Sequence, residues 1–119
     1  MGKDYFIGCD VGTGSARAGV FDKAGNMLSM QTKEIQMWRP AADFVEQSLD
    51  NMWQACCITI KKAVKEASIN PEQIGGIGFD ATCSLVVLDE QGRPVRVSPD
   101  EPDQQNVMVW MDHRSQMRT

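Results

Sequence analysis

The sequence has little positive charge, and this limits the partners it can bind. Of its 119 residues, 12 are lysine or arginine and 16 are aspartate or glutamate, which gives a net charge of −4. A chain without an excess of basic residues has no electrostatic field to hold a phosphate backbone or an anionic membrane surface. We therefore expect neither nucleic acid nor membranes among its partners.

Cysteine and histidine are sparse and are not spaced as ligands. The cysteines Cys9, Cys56, Cys57 and Cys83 form no CxxC pair, and His113 is the single histidine. This spacing predicts neither a zinc site nor a disulfide framework, and it is typical of a reducing cytosol. The sequence also lacks an apolar run of about 18 residues and a signal-peptide pattern, so we expect a soluble, cytoplasmic protein.

The apolar pattern predicts three strands at the start of the chain. "YFIGCDV" and "ARAGVFD" are rich in β-formers and flank the turn "GTGS". "MLSMQTKEIQMW" follows the turn "KAGN" as a third strand, but its alternation is loose. The pattern therefore does not decide which face of this strand is buried.

The helix that follows is predicted by periodicity. Ser48 occupies an N-cap position, and Asp50 lies in the first turn, where its charge favours the helix dipole. Apolar residues then recur at helical spacing, namely Leu49, Met52, Trp53, Cys56, Ile60, Val64 and Ala67. We expect this face, with Trp53 and the cysteines, to lie in the core and the helix to break at Pro71.

The pattern of the last third of the chain predicts short strands and one loop. "GGIGFDAT" is predicted to be a buried strand, and "SLVVLDEQGRP" its hairpin partner, turning at "EQGR". "SPDEPDQQN" is a predicted loop, and "VMVWMDHR" a last short strand. The order β-β-β-α-β-β-(β) predicts an α/β domain with a mixed sheet.

The turn between the first two strands carries groups suited to a nucleotide. The backbone N–H groups and hydroxyls of "GTGS" and the cation of Arg17 are phosphate-binding groups. Asp10, just before the turn, is suited to hold Mg²⁺, usually through water. The P-loop spacing is absent. A plain hairpin, in which the glycines adopt positive φ and Asp10 bonds its own turn, is an equally compatible interpretation.

Three stretches in order resemble the N-terminal part of the FGGY family of carbohydrate kinases. They are "FIGCDVGTGSARAGVFD", "GGIGFDATCSLVVLDEQGRPV" and "VMVWMDHR", and the similarity runs from Tyr5 to Arg114. The resemblance implies the ribonuclease-H-like, actin-type ATPase fold, in which two domains close on ATP and a sugar. Residues 1–119 would be the N-terminal part of such a kinase, without the second domain and the aspartate base. We expect the chain alone to be inactive and the full-length protein to be a homodimer.

The resemblance also implies roles for single residues. Asp10 would help to position Mg²⁺, and Arg17 would add charge near the transferred phosphoryl group. The nucleotide phosphates would be faced by Gly12, Thr13, Gly14 and Ser15. ATP and Mg²⁺ are therefore the expected cofactors.

The segment after "GGIGF" bears on the choice of sugar. At Ala81 and Thr82, glycerol kinases carry an Arg-Glu pair and xylulokinases a Met-His pair, which argues against glycerol and xylulose. "GFDATCS" resembles instead the ribulokinase group, so D-ribulose or a related ketopentose is expected. "VWMDHR" resembles the family's Trp-x-Asp-x-Arg segment. The predicted sugar-pocket residues are Asp80, Ala81, Thr82, Cys83, Trp110, Asp112 and Arg114.

Alternatives to these interpretations stay open in the sequence. Ala81 and Cys83 could simply pack as small residues in a crowded strand, and His113 is expected to be a solvated neighbour rather than a base. A metal-dependent nuclease of the ribonuclease-H-like superfamily would use Asp10 and Asp80 around paired metal ions, but would need a basic face. A non-catalytic nucleotide- or sugar-binding module of the same fold would bind without turnover.

Overall fold

The computed structural model describes residues 2–99 and 105–117, which divide into two compact units. The first lies within residues 1–34 and 54–81, and the second within residues 35–53 and 82–119. The elements are β1 (Tyr5–Val11), β2 (Ser15–Asp22), β3 (Met27–Glu34), β4 (Glu46–Gln47), α1 (Leu49–Ala67), β5 (Ile74–Ala81), β6 (Leu85–Val86) and β7 (Val107–Met108), with 3-10 turns at Pro71–Gln73 and Arg114–Met117. Within the described ranges, no helix is long and apolar enough to cross a membrane.

The first unit contains a mixed four-stranded sheet in the order β3-β2-β1-β5. Strands β1, β2 and β3 pair antiparallel through the two predicted turns, and β1 pairs with β5 in parallel. In the second turn, the Asp22 carboxylate accepts the backbone N–H groups of Ala24 and Asn26, both at 2.9 Å, and Gly25 has a φ of +87°. The predicted mixed sheet and its first two turns are thereby confirmed.

The predictions for β5 are wrong on two points. The strand is not buried, because it lies at one end of this sheet and residues 75–81 are exposed. The segment that follows turns at "EQGR" as predicted, but it closes on itself there and does not form a hairpin with β5. There the Asp89 N–H donates to the Arg93 carbonyl at 2.9 Å, and Leu88 bridges Pro94. A tight local turn satisfies these backbone groups before they can pair with β5.

The core of the first unit lies between the sheet and α1. Its buried residues are Ile7, Ala18, Val20 and Ala63. Ser29 is the register partner of Val20, so both lie on the same face, and the Ser29 hydroxyl donates to the Ala63 carbonyl at 2.6 Å. The face of β3 that carries Ser29 therefore packs against the helix. This answers which face of the strand is buried, which its loose alternation did not decide.

Helix α1 has the predicted bounds and cap, and its predicted face is confirmed in part: Cys56 is buried, and Ile60, Val64 and Ala67 pack against the core. The Ser48 hydroxyl accepts the Asn51 N–H at 3.2 Å, as an N-cap does. The buried helix residues are small: Ala55, Cys56, Thr59 and Ala63. Trp53 is 60% exposed, so its predicted burial is wrong. The helix packs along a row of small side chains at i, i+4 and i+8, and Trp53 falls outside that row.

The second unit contains a small three-stranded sheet in the order β4-β7-β6. Glu46 pairs with Met108, and Val86 pairs with Val107, both antiparallel. The predicted last strand "VMVWMDHR" is β-structure only over Val107–Met108, because the chain then turns and enters a 3-10 turn. The predicted loop "SPDEPDQQN" lies partly outside the described residues, which omit 100–104.

Candidate functional site

Three charged side chains lie side by side near the carboxyl ends of β1 and β5. Asp10 is the register partner of Arg17 on β2 and of Asp80 on β5, so the three share one face of the sheet. An Arg17 guanidinium nitrogen donates to Asp10 Oδ2 at 2.5 Å, and both side chains are about half exposed. Ligands of open α/β sheets bind at the carboxyl ends of parallel strands, and this is such a position.

The glycines of the turn after β1 are not there for positive φ. Among the described residues, the glycines with positive φ are Gly25 and Gly92, so Gly12 and Gly14 do not need it. The Gly12 N–H donates to the Ser15 carbonyl at 2.9 Å, which closes the turn. Asp10 bonds Arg17 on the next strand and not the turn. The plain-hairpin interpretation therefore explains neither the glycines nor Asp10.

Gly14 keeps the surface of this turn open. A Cβ built there would meet nothing within 4 Å, whereas one at Gly12 would lie 3.3 Å from the Ser15 carbonyl oxygen. The fold itself would thus accept a side chain at Gly14. A bare backbone at this position leaves room for a ligand to approach the N–H groups, as phosphate-binding turns require.

A cavity of about 560 Å³ adjoins the charged group on the same face of the sheet. Its floor crosses Gly8, Gly19 and Gly78, which are register partners in a row over three strands. The ring of Phe21 lies over this row, since a Cβ at Gly19 would come within 3.0 Å of it. Asp10, Arg17 and Asp80 form the polar end, and Phe21, Met27 and Met30 add apolar surface. The volume suits a small organic ligand.

The site residues could hold a divalent cation with few protein ligands. No cluster of three or more His, Cys, Asp or Glu side chains that could hold a metal ion occurs in residues 2–99 or 105–117. Mg²⁺, however, keeps several waters and takes one or two carboxylates together with substrate phosphates. Asp10, beside Asp80 and open to solvent, fits that requirement. Paired-metal nuclease chemistry receives no support, because it needs several acids close together.

The segment after β5 is linked to Trp110 through a residue that sequence reasoning missed. Ala81 ends β5 in the first unit, and Thr82 and Cys83 follow in the second. The hydroxyl oxygens of Thr82 and Ser84 lie 3.3 Å apart, and the backbone N–H of Trp110 donates to the Ser84 hydroxyl at 3.1 Å. Cys83 and the Trp110 side chain are exposed. Nothing in the pattern "TCSL" distinguishes this serine from a surface residue.

Asp112 and Arg114 bind each other and are largely buried. The side chains are 4% and 16% exposed. Arg114 Nε and a terminal guanidinium nitrogen donate to the two Asp112 oxygens at 2.8 and 2.6 Å, and the Val45 N–H donates to Asp112 at 2.8 Å. The Arg114 guanidinium also lies 4.0 Å from the centroid of the Phe44 ring. This geometry gives the pair a structural role; direct contact with a sugar stays a prediction.

The ionisation of this pair reflects its partners. Burial tends to raise the pKa of Asp112, but hydrogen bonds from Arg114 and from the Val45 N–H outweigh it and lower that pKa. The hydrogen bond to Asp112 is the largest cause that raises the pKa of Arg114. Both groups are therefore charged at neutral pH. His113, between them in sequence, is exposed, as predicted.

Glu46 is the second residue of this region that the sequence did not single out. Its side chain is fully buried and bonds Arg114 and Gln105, each through one oxygen, at 2.8 and 2.7 Å. A glutamate between apolar and polar neighbours, as in "FVEQS", reads as an exposed residue. Only its partners from distant parts of the chain show why it is buried.

The sequence profile of the N-terminal domain of the FGGY family of carbohydrate kinases matches residues 5–118. A human FGGY carbohydrate kinase domain-containing protein is 46% identical over 111 residues, which are 93% of this chain and 20% of that protein. A D-ribulokinase from Saccharomyces cerevisiae is 44% identical over 117 residues, 97% of this chain and 16% of the relative. The chain spans about a fifth of the length of such relatives.

The solved structures agree with this match. A crystal structure of a xylulose kinase from Brucella ovis superposes with a TM-score of 0.76 and 26% identity, over 93% of this chain and 22% of that one. The fold is the actin-type ATPase fold predicted from the resemblance, present here as part of an N-terminal domain.

Proposed function

Because the chain belongs to the FGGY family of carbohydrate kinases, we propose that it supplies the phosphate turn and part of the sugar pocket of an ATP-dependent sugar kinase. The observation that carries the proposal is Asp10, paired with Arg17 beside Asp80 and an open cavity. Nucleotide phosphates and their metal ion need an acid, a cation and hydrogen-bond donors close together. The turn from Gly12 to Ser15 and the neighbouring strands provide all three.

Each residue has a role that its chemistry allows. Asp10 would hold Mg²⁺, which would supply charge neutralisation for the phosphates. Arg17 orients the Asp10 carboxylate in the free protein and can turn to the transferred phosphoryl group, because its side chain is half exposed. Thr13, Gly14 and Ser15 face the phosphates with N–H and hydroxyl donors, and Gly12, whose N–H bonds the Ser15 carbonyl, shapes the turn. Most of the catalytic effect in this reaction is positioning and charge stabilisation of this kind.

We propose D-ribulose or a related ketopentose as the sugar. The relative named a D-ribulokinase is 44% identical over nearly the whole chain. The short side chains of Ala81 and Thr82 leave room for a sugar where a bulkier pair would fill the space, and Cys83 beside them is also small. Asp80 and Thr82 can bond sugar hydroxyls, and the exposed Trp110 indole offers an apolar wall.

The reaction needs parts that these 119 residues do not supply. The catalytic base and the opposing half of the nucleotide site belong, in this proposal, to a second domain. The chain alone is then inactive, and the complete enzyme is a homodimer.

The test is Mg-ATP-dependent ADP release by the complete gene product and by the 119-residue chain, with D-ribulose, D-xylulose, ribitol, arabinitol and glycerol. We expect turnover only in the complete protein, with the highest kcat/KM for D-ribulose. A preference for glycerol or xylulose would contradict the substrate assignment. Turnover by the 119-residue chain would show that a base within it, first of all Asp80, performs the chemistry.

A further inference from the structure

The second unit contains a buried charged cluster that the proposed reaction does not use. The Glu46 cluster consists of Glu46, Asp112, Arg114 and Gln105. Both Glu46 oxygens are bonded, one to Arg114 at 2.8 Å and the other to Gln105 at 2.7 Å, and none of the side chain is exposed. A buried ion network is weak evidence for stability, because well-packed apolar residues often serve as well. The segments that the network holds in place therefore indicate its role.

The cluster joins segments that are far apart in sequence. Besides its carboxylate contacts, Arg114 donates to the Val97 carbonyl at 2.8 Å. The backbone of Glu46 exchanges hydrogen bonds with Trp38 in both directions, each at 2.9 Å. One guanidinium with several fixed donors thus connects the strand β4 to the segments at residues 97 and 112.

The segment held most closely is the turn that carries Trp110. The Asp112 N–H donates to the Val109 carbonyl at 2.7 Å, which places Trp110 at the tip of a tight turn. Val45 holds both ends, since its carbonyl accepts the Val109 N–H at 2.9 Å and its N–H donates to the Asp112 carboxylate at 2.8 Å. The orientation of the Asp112 carboxylate depends in turn on Arg114.

Trp110 also determines the position of the segment after β5. Its N–H donates to the Ser84 hydroxyl at 3.1 Å, and Ser84 lies 3.3 Å from the Thr82 hydroxyl. A displacement of the turn would therefore break the hydrogen bond that joins Trp110 to the segment of Thr82 and Cys83. Both parts belong to the sugar pocket in the proposed function.

We propose that Glu46 is a positioning residue for the sugar: through Arg114 and Asp112 it holds the Trp110 turn against Ser84. This inference rests on the proposed function, because that function places the sugar at Trp110 and Thr82. The Glu46 cluster lies wholly in the second unit, whereas the phosphate turn lies in the first. Loss of the Glu46 charge should therefore weaken binding of the sugar and leave binding of ATP unchanged.

The test uses Glu46→Gln in the complete gene product, with Glu72→Gln as the matched control. Glu72 is an exposed glutamate in the 3-10 turn after α1. A glutamine at position 46 keeps the volume but offers one acceptor oxygen where Arg114 and Gln105 now bond two. We expect Glu46→Gln to raise the KM of D-ribulose about tenfold, because a 1 Å misplacement can cost about a hundredfold and this variant keeps one acceptor oxygen. The KM of ATP should stay within about twofold, and the control should leave both unchanged.

A second variant keeps the inference testable if Glu46→Gln does not fold. Ser84→Ala removes only the hydroxyl that accepts the backbone N–H of Trp110. This variant too should raise the KM of the sugar and leave the KM of ATP unchanged. An unchanged sugar KM in a folded Glu46→Gln protein would overturn the inference. So would a rise in both KM values with no effect of Ser84→Ala, because that pattern indicates a purely structural role. A wild-type protein without sugar-dependent turnover would refute the proposed function, and this inference with it.

Discussion

Replacing Asp112 by asparagine should lower the free energy of unfolding by about 3 kcal/mol, because it removes one charge from a buried, hydrogen-bonded pair. The Asp112 carboxylate accepts hydrogen bonds from Arg114 Nε at 2.8 Å, from a terminal guanidinium nitrogen at 2.6 Å and from the Val45 N–H at 2.8 Å. Breaking such a pair costs about 3–5 kcal/mol in general. The lower end applies here, since asparagine keeps one acceptor oxygen and Arg114 keeps Glu46 and the Val97 carbonyl.

The matched control is the more exposed pair between Asp89 and Arg93. It is also an aspartate–arginine pair, with Nε 2.8 Å from Oδ2, but its side chains are 30% and 71% exposed. Asp89→Asn should cost clearly less than Asp112→Asn, because solvent screens such pairs. Urea unfolding followed by tryptophan fluorescence measures both values. Equal costs for the two variants would refute the reasoning that burial sets the strength of the Asp112 pair.

The pH dependence of this stabilisation has a defined sign. The pKa of Asp112 is lowered in the folded protein, so folding favours the ionised carboxylate. The contribution is fully present above the unfolded pKa, about 4 for aspartate, and is lost as the pH falls through the lower folded value. The difference between wild type and Asp112→Asn should therefore be constant from pH 7 to pH 5 and shrink below pH 4.

Three further predictions concern the phosphate turn and its surroundings. Gly14→Ala should leave the free energy of unfolding unchanged, since its Cβ meets nothing within 4 Å, but raise the KM of ATP about tenfold. Gly76→Ala on β5 is the control. Equal KM values for ATP in the two variants would exclude Gly14 from the phosphate site. Asp10→Asn should lower kcat by at least about 10²-fold in ADP release, and an unchanged kcat would remove Asp10 from the metal role. Burial and the neighbouring Cys56 raise the pKa of the Cys9 thiol to about 12, so iodoacetamide at pH 8 should label the exposed Cys83 and spare Cys9 until the protein unfolds; early labelling of Cys9 would contradict its burial.

The strand-turn-strand region and the start of α1 could be predicted because their signals are local. The turns after β1 and β2 depend on neighbouring residues such as Gly25, which adopts positive φ, and Asp22, which bonds the turn. The start of α1 depends on the hydroxyl of Ser48, three residues from its partner. Such features need only a few adjacent residues, so their patterns are visible in the sequence.

The incorrect predictions concern choices between surfaces. Trp53 fits the apolar stripe of α1, yet the sheet accepts the row of small residues beside it, because close packing favours Ala55, Thr59 and Ala63. Strand β5 has a composition suited to a buried hairpin, yet it pairs with β1, more than 60 residues earlier in the chain. Long-range pairing depends on which strand edges meet in the fold, and the amino-acid composition of a strand does not show which edge it will pair with.

The sequence by itself determined the family, the strand-turn-strand unit and the residue types of the phosphate turn, since these depend on neighbours along the chain. Only the tertiary structure decided that Asp80 lies beside Asp10, because their shared register comes from the parallel pairing of β1 with β5. Only the tertiary structure showed that Glu46 is buried against Arg114, 68 residues away, since a charge can be buried only where the fold brings its counter-charge.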